Sequence, residues 1–236
     1  MVARSSSRPP GTAMTERLRR GKGDLWTRSA DPGHLVHGES IRRVNGVEWR
    51  RWDPSRSKVA AGLLRTTGDP LRLLPPEESH ALYLGAGHGG TISHLHDLMD
   101  EHGRLVAVDL SPRCMRDLTS LARRRPGLVP VLGDARHHGL LRPLLPQGVS
   151  WIFQDVAQAH QASIFAAACS SFLREGGTGV LSLKVASDRG TDADVLRADV
   201  EAVLEASSLR LDEVMDLAGL QDDHLMFVVQ GGPEDA

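Results

Sequence analysis

The chain has 236 residues, of which 40% are hydrophobic and 25% charged, with a formal net charge of −2; that composition fits one α/β core with a small appendage and excludes a disordered chain. No run of about 18 apolar residues occurs and the first thirty residues lack an apolar h-region, so neither a membrane span nor a secretory signal is expected, and the expected compartment is the cytoplasm. Cys114 and Cys169 stand far apart without Cys-x-x-Cys spacing, which argues against a disulfide framework and a thiolate zinc site.

Residues 1–22, with Ser5-Ser6-Ser7, Pro9-Pro10 and an arginine-rich stretch to Lys22, offer little to bury and read as a flexible basic arm, with order expected from near Asp24. Residues 23–53 read as a small β domain. Its strand-like pieces are Leu25-Trp26, Leu35-Val36-His37, Ile41–Val44 and Val47–Trp49, and Asn45-Gly46 supplies the two left-handed residues of a tight hairpin. Asp53-Pro54-Ser55 then offers an N-cap with proline at the first helical position, and a helix is predicted to about Arg65.

After Pro75-Pro76 strands and helices alternate through a catalytic-size domain placed at 54–231, leaving 232–236 as a tail. Strands are predicted at Ala81–Leu84, Leu105–Val108, Leu128–Leu132, Ser150–Gln154, Gly179–Val185, Leu209–Leu217 and His224–Gln230, and helices near 91–100, 112–124, 138–145, 158–174 and 192–206. This rhythm predicts a Rossmann-like α/β fold: a mostly parallel seven-stranded sheet, helices on both faces, and ligands beyond the strands' carboxyl ends. The last two strands lack an intervening helix, so one is expected to enter antiparallel.

Charge is distributed unevenly along these units. Residues 1–58 carry 13 basic and 6 acidic side chains, residues 59–184 carry 12 and 11, and residues 185–236 carry 3 and 13. A basic front beside an acidic tail suits a polyanion partner, and it equally suits solvated faces and a solubilising end.

The first chemical signal is Gly85-Ala86-Gly87-His88-Gly89-Gly90, which follows a strand and opens a helix near Thr91. Glycines permit a sharp turn and close approach to a ligand, and the helix N-terminus presents unpaired N–H groups; a simple tight turn would use the same residues. Asp109 ends the next strand, placed to accept hydrogen bonds from a ribose. Nicotinamide and S-adenosylmethionine sites share these features. Asp134, in Gly133-Asp134-Ala135, and Asp155, in Asp155-Val156-Ala157-Gln158, end the two strands that follow. Acids at three successive strand ends repel a pyrophosphate and suit a cationic methyl donor.

Tyr83-Leu84-Gly85-Ala86 through Gly90-Thr91-Ile92-Ser93-His94, Ala107-Val108-Asp109-Leu110-Ser111-Pro112-Arg113, Gly133-Asp134-Ala135-Arg136, Asp155–Gln158 and Asp223-His224 together resemble the fibrillarin family. Gly38-Glu39 and Glu48-Trp49-Arg50-Arg51-Trp52-Asp53-Pro54-Ser55-Arg56-Ser57-Lys58 resemble the segment joining that family's N-terminal and catalytic domains, so the likeness runs colinearly from about Asp24 to Gln230. The resemblance implies an S-adenosylmethionine-dependent ribose 2′-O-methyltransferase acting on rRNA, and possibly tRNA, within a box C/D ribonucleoprotein. It implies a guide RNA, a Nop-type scaffold and a kink-turn-binding ribosomal-type protein as partners, no membrane and no metal. Two departures stand out: Gly90 replaces a hydroxyl residue that would help to hold the methionine carboxylate, and Asp109 stands where the family usually has glutamate.

The implied catalytic set of lysine, aspartate, lysine and histidine falls on Lys58, Asp155, Lys184 and His224. The implied cofactor contacts are Gly85, Gly87, Gly90, Thr91, Asp109, Leu110, Asp134, Ala135, Asp155, Val156, Ala157 and Gln158. In-line displacement by a ribose hydroxyl needs two atoms held in near-attack geometry and one proton accepted, a task for lysine because a desolvated ammonium can give up its proton where arginine cannot. Lys184 is expected to orient or deprotonate the 2′-hydroxyl, Asp155 to position Lys184 and the methyl group, and Lys58 and His224 to close the site. Only Lys22, Lys58 and Lys184 among 28 basic residues are lysine; random placement would put lysine at both sites about once in a hundred times. Other readings stay open at single residues: Asp155 could cap a helix and His224 could be an ordinary strand histidine. His94 and His96, two apart on a helix, point apart and do not form a metal pair.

RNA contacts are expected from Arg42, Arg43, Arg50, Arg51 and Arg56 around the β domain and from Arg136, with Arg123-Arg124-Arg125 nearby. Aromatic residues make up only 4% of the chain, too few for base stacking to carry sequence readout. A same-fold methyltransferase acting on lone RNA or protein, or a weakly active cofactor-binding assembly subunit, are the alternative functions.

Overall fold

The computed structural model describes residues 4–5, 10–185 and 193–232, which build two sheets. The first contains β1 (Arg4–Ser5), β2 (Thr12–Ala13), β3 (Leu18–Arg20), β4 (Leu25–Arg28), β5 (Ile41–Val44) and β6 (Val47–Trp52) in the order β1-β5-β6-β4-β3-β2. Asn45 and Gly46 adopt φ of 50° and 79°, closing the β5–β6 hairpin as the sequence predicts.

The expectation of a flexible arm to residue 22 fails for its described part. Residues 12–20 form a hairpin that extends the sheet, because Leu18 is fully buried in the same core as Leu25 and Trp52. Leu18, helped by the half-buried Met14, is a weak periodic signal among arginines but a sufficient anchor. Leu35-Val36-His37, expected to be strand, is instead a loop, and Leu35 is exposed.

Asp53 caps a 3-10 turn at Pro54–Arg56 and not the helix itself; α1 (Lys58–Arg65) begins after a second cap, Ser57, whose hydroxyl accepts from Ala60 N. The second sheet comprises β7 (His80–Leu84), β8 (Arg104–Asp109), β9 (Leu128–Leu132), β10 (Val149–Gln154), β11 (Leu173–Lys184), β12 (Leu209–Asp216) and β13 (His224–Gly231). Their order is β12-β13-β11-β10-β7-β8-β9, and β13 runs antiparallel to both its neighbours, as expected from the missing helix. The connections are α2 (Gly90–Leu98), α3 (Pro112–Ala122), α4 (Gln161–Phe172) and α5 (Ala193–Glu205). Only a 3-10 turn, His138–Leu140, occupies the stretch predicted as helix at 138–145.

The two faces follow from the period-2 pattern of the strands. Ala81, Tyr83, Ala107 and Phe153 bury against α1, α2 and α3, whereas Leu82, Leu84, Ile152 and Leu181 bury against Phe165 of α4 and Leu204 of α5. Each leucine, isoleucine or phenylalanine among them contributes about 1.5–3 kcal/mol on burial, and each alanine less. β7 pairs with β8 on one side and β10 on the other, so the strand order reverses there and a crevice opens beyond their carboxyl ends.

The two sheets are locked by a buried polar cluster. Asp97, on α2 and fully buried, accepts at Oδ1 from Ala30 N (2.9 Å) and Arg125 Nη1 (2.7 Å), and at Oδ2 from Thr27 Oγ1 (2.8 Å) and Arg50 Nη1 (2.7 Å). Arg50 also donates to Glu39 at 2.6 Å. Burial alone would raise the Glu39 pKa, but the Arg50 charge and backbone N–H donors hold it down to about 2.

Candidate active site

A cleft of about 590 Å³ lies beyond the ends of β7, β8 and β10. Gly85, Gly87, Asp109, Leu110, Ala135, Asp155, Val156, Ala157 and Gln158 line it, all read from the sequence, together with Val108, Ser111 and Gly133, which were not. The Ser111-Pro112 cap signal could have drawn attention to Ser111, whose hydroxyl accepts from Cys114 N at the start of α3. Glycine is dictated at residue 85: its φ is +84°, and a Cβ there would stand 2.2 Å from the carbonyl oxygen of Asp155.

Asp109 does more than await a ribose. Its Oδ2 accepts from Gly87 N at 2.8 Å and its Oδ1 from Ser111 N at 2.8 Å, so the carboxylate braces the glycine turn and keeps one lone pair on each oxygen for a ligand. Gly90 and Thr91, expected in this cleft, line a neighbouring one on the far side of the turn. Thr91 Oγ1 donates to Ser57 Oγ at 3.0 Å, tying α2 to the cap of α1. Asp134 is absent from the lining too: Arg136 donates to it from Nε (3.0 Å) and Nη2 (2.6 Å), and those hydrogen bonds hold its pKa well below the usual carboxylate range.

Among the described residues the cleft is lined by two carboxylates, Asp109 and Asp155, and no basic side chain. Val156, Ala135 and the 59%-exposed Leu110 supply apolar surface for a purine. Gln158 Oε1 is buried without a hydrogen-bond partner, which leaves an acceptor for an exocyclic amine. A purine, a ribose and a positive charge fit this set, and a pyrophosphate does not. S-adenosylmethionine therefore suits the cleft better than a dinucleotide.

The four expected catalytic residues lie at one end of the sheet's strands. Asp155 follows β10, Lys184 ends β11, His224 begins β13 directly opposite Lys184, and Lys58 begins α1. The expected pairing of Asp155 with Lys184 is corrected: Asp155 Oδ2 accepts from Lys58 Nζ, at the first residue of α1, at 2.8 Å. Nor does Asp155 cap the following helix, whose N-cap is His160. Lys184 is exposed and has no ion pair among the described residues, while its backbone N–H donates to Gln161 Oε1 at 3.3 Å. His224 Nδ1 donates to the carbonyl of Asp222 at 2.7 Å, which leaves Nε2 as an acceptor.

The expected RNA-contacting arginines divide. Arg50 and Arg125 are buried in the Asp97 cluster and cannot meet a phosphate. Arg43 pairs with Glu48, Arg51 with Asp24 and Asp53, Arg124 with Asp31, and Arg136 with Asp134. Arg42 lies over the Trp26 ring at 4.7 Å, and Arg56 is exposed without an ion pair among the described residues.

The profile of the Fibrillarin family matches residues 12–232. The fibrillarin-like rRNA/tRNA 2′-O-methyltransferase of Methanosarcina barkeri is 40% identical over 208 residues, covering 86% of this chain and 89% of its own. The crystal structure of Aeropyrum pernix fibrillarin with natively bound S-adenosylmethionine matches with a TM-score of 0.79 and 36% identity, over 87% of this chain and 88% of that one. A fibrillarin/Nop5p complex matches with a TM-score of 0.78 and 28% identity, over 91% of this chain and 97% of that one. Sequence, fold and the acid-lined cleft agree: this chain belongs to the fibrillarin family.

Proposed function

We infer that the chain is an S-adenosylmethionine-dependent methyltransferase that modifies the ribose 2′-hydroxyl of rRNA and tRNA. The observation that carries this is a cleft with two carboxylates and no cation opening beside the Lys58–Asp155 pair, in a chain whose relatives bear that activity in their names. When bound, the cofactor supplies an electrophilic methyl group on a sulfonium. Asp155 faces that charge and is held there by Lys58, while its backbone N–H, bonded to the carbonyl of Leu84 at 2.9 Å, fixes the loop. Lys184 meets the incoming ribose: its amino group receives the 2′-hydroxyl proton or its ammonium holds the developing alkoxide. His224 Nε2, opposite it, accepts a hydrogen bond from the same sugar. The Lys58–Asp155 pair thus positions, and Lys184 acts on the ribose hydroxyl.

A Nop-type scaffold is the protein partner, as in the fibrillarin/Nop5p complex. A guide RNA and a kink-turn-binding protein complete the particle in this reading, and target choice then comes from base pairing. Of the arginines expected to contact RNA, Arg42 and Arg56 are the two without an ion pair among the described residues and are left to meet phosphate. Lys184→Arg tests the mechanism: turnover in the assembled particle is expected to fall by about 10²–10⁴-fold, with calorimetric S-adenosylmethionine binding unchanged. A fully active variant overturns the role of Lys184, and unchanged 2′-O-methyl levels in rRNA after gene deletion, read by nucleoside mass spectrometry, overturn the function.

A further inference from the structure

Across the glycine turn from the donor cleft lies a second cleft, of about 510 Å³, between the N-terminal sheet and the start of α2. That volume suits a nucleotide-sized ligand. Two residues that line it, Trp52 and His94, stack with ring centroids 5.2 Å apart and planes 13° apart. Each keeps a buried polar atom without a hydrogen-bond partner: Trp52 Nε1 and His94 Nε2.

The surrounding bonds fix what these atoms offer. Thr27 donates its single hydroxyl proton to Asp97 Oδ2 at 2.8 Å, so the 2.8 Å contact between Thr27 Oγ1 and His94 Nδ1 is donated by the imidazole. Burial keeps that ring neutral, which leaves Nε2 with a lone pair and no proton. The indole nitrogen can only donate. The stacked pair therefore holds one orphaned donor and one orphaned acceptor, and the Watson–Crick edge of every nucleobase carries both an acceptor and a donor.

Charge at the rim points the same way. Each of the three carboxylates of the cleft has a partner: Asp31 pairs with Arg124 at 2.7 Å and Asp53 with Arg51 at 3.1 Å, and Asp117 accepts a hydrogen bond from His88 Nδ1 at 2.6 Å. Arg56 is exposed, lines the cleft and has no ion pair among the described residues. It lies two residues before Lys58, so the cleft borders the proposed path of the ribose.

We propose that this cleft binds one nucleotide, with Trp52 donating to and His94 accepting from the base edge and Arg56 on the phosphate. The inference rests on the RNA-methylating reading, since a strand presenting a ribose near Lys58 brings a neighbouring nucleotide to this position; a free mononucleotide offers the same chemistry.

The test is a titration of the full chain, saturated with S-adenosylmethionine so that the donor cleft is filled, following the indole N–H signals of its four tryptophans by NMR. UMP and AMP are expected to shift the Trp52 signal selectively, and ribose 5-phosphate, which lacks a base, is not. Arg56→Ala should weaken the response about tenfold or more, and Trp52→Phe, followed by ligand relaxation, should abolish binding while the fold persists. A single-stranded oligonucleotide that binds more tightly than UMP identifies an RNA strand as the source, and equal affinity identifies a free nucleotide. A silent Trp52 signal, an unchanged Arg56→Ala, or a shift caused by a glutamine-bearing peptide in place of nucleotides overturns the proposal. Methyl transfer by the assembled particle is scored separately. Activity with a silent indole overturns the nucleotide cleft alone, and a responsive indole without methyl transfer overturns the catalytic reading alone.

Discussion

A single proton matters most at Glu39. Its folded pKa of about 2 lies below the ordinary 4.5, so its contribution is complete above about pH 5 and is lost as the pH falls through 4.5 towards 2, on the order of 3 kcal/mol in all. His94 and His37 add the same sign: burial lowers both pKa values, so the unfolded chain takes up their protons first as the pH drops below 6.5. Urea denaturation from pH 7 down to about pH 2.5 should show stability falling with acid, and Glu39→Gln should flatten the part of that curve below pH 4.5. Removing a partner from the same cluster is costlier. Asp97→Ala leaves the buried Arg125 without a carboxylate and Arg50 with Glu39 alone, and is expected to cost about 3–5 kcal/mol in chemical denaturation.

These residues also mark the limit of what the sequence discloses. An arginine in an alternating strand reads alike whether it faces phosphate or core; Arg50 is buried because Asp97 arrives from α2, 47 positions away. Asp155 had two lysines to choose between, and the tertiary placement of the start of α1 decides for Lys58. Legible residues were those with local causes: Gly85 and Gly87 where the chain must turn, and Asp109 where a strand must end.

At the level of elements, the glycine turn between β7 and α2 is a wall shared by two clefts. Gly85→Ala combines an unfavourable positive φ with a Cβ 2.2 Å from the carbonyl of Asp155, so β7 and β10 would have to separate. S-adenosylmethionine affinity is expected to fall by more than about tenfold with a loss of several kcal/mol in stability, read by calorimetry and thermal melting. Helix α1 is similarly confined, since a Cβ at Gly62 would stand 2.6 Å from Met226 Sδ on β13. Strand and helix periodicity was plain in the sequence for the second sheet because both its faces are apolar. The hairpin of β2 and β3 was hidden because only Leu18 and the half-buried Met14 tie it to the core.

For the whole molecule, the link between the two sheets is a 3-10 turn whose Pro54 is buried and whose closing residue, Ser57, is 2% exposed. Trp52 and Leu25 of the first sheet share one core with α1 and α2 of the second. The two layers are expected to melt in a single calorimetric transition, and limited proteolysis should not separate them. In evolutionary terms the N-terminal sheet is therefore no detachable module: it could not be exchanged by recombination at residues 53–57 without also replacing the side chains that bury the first turns of the catalytic half.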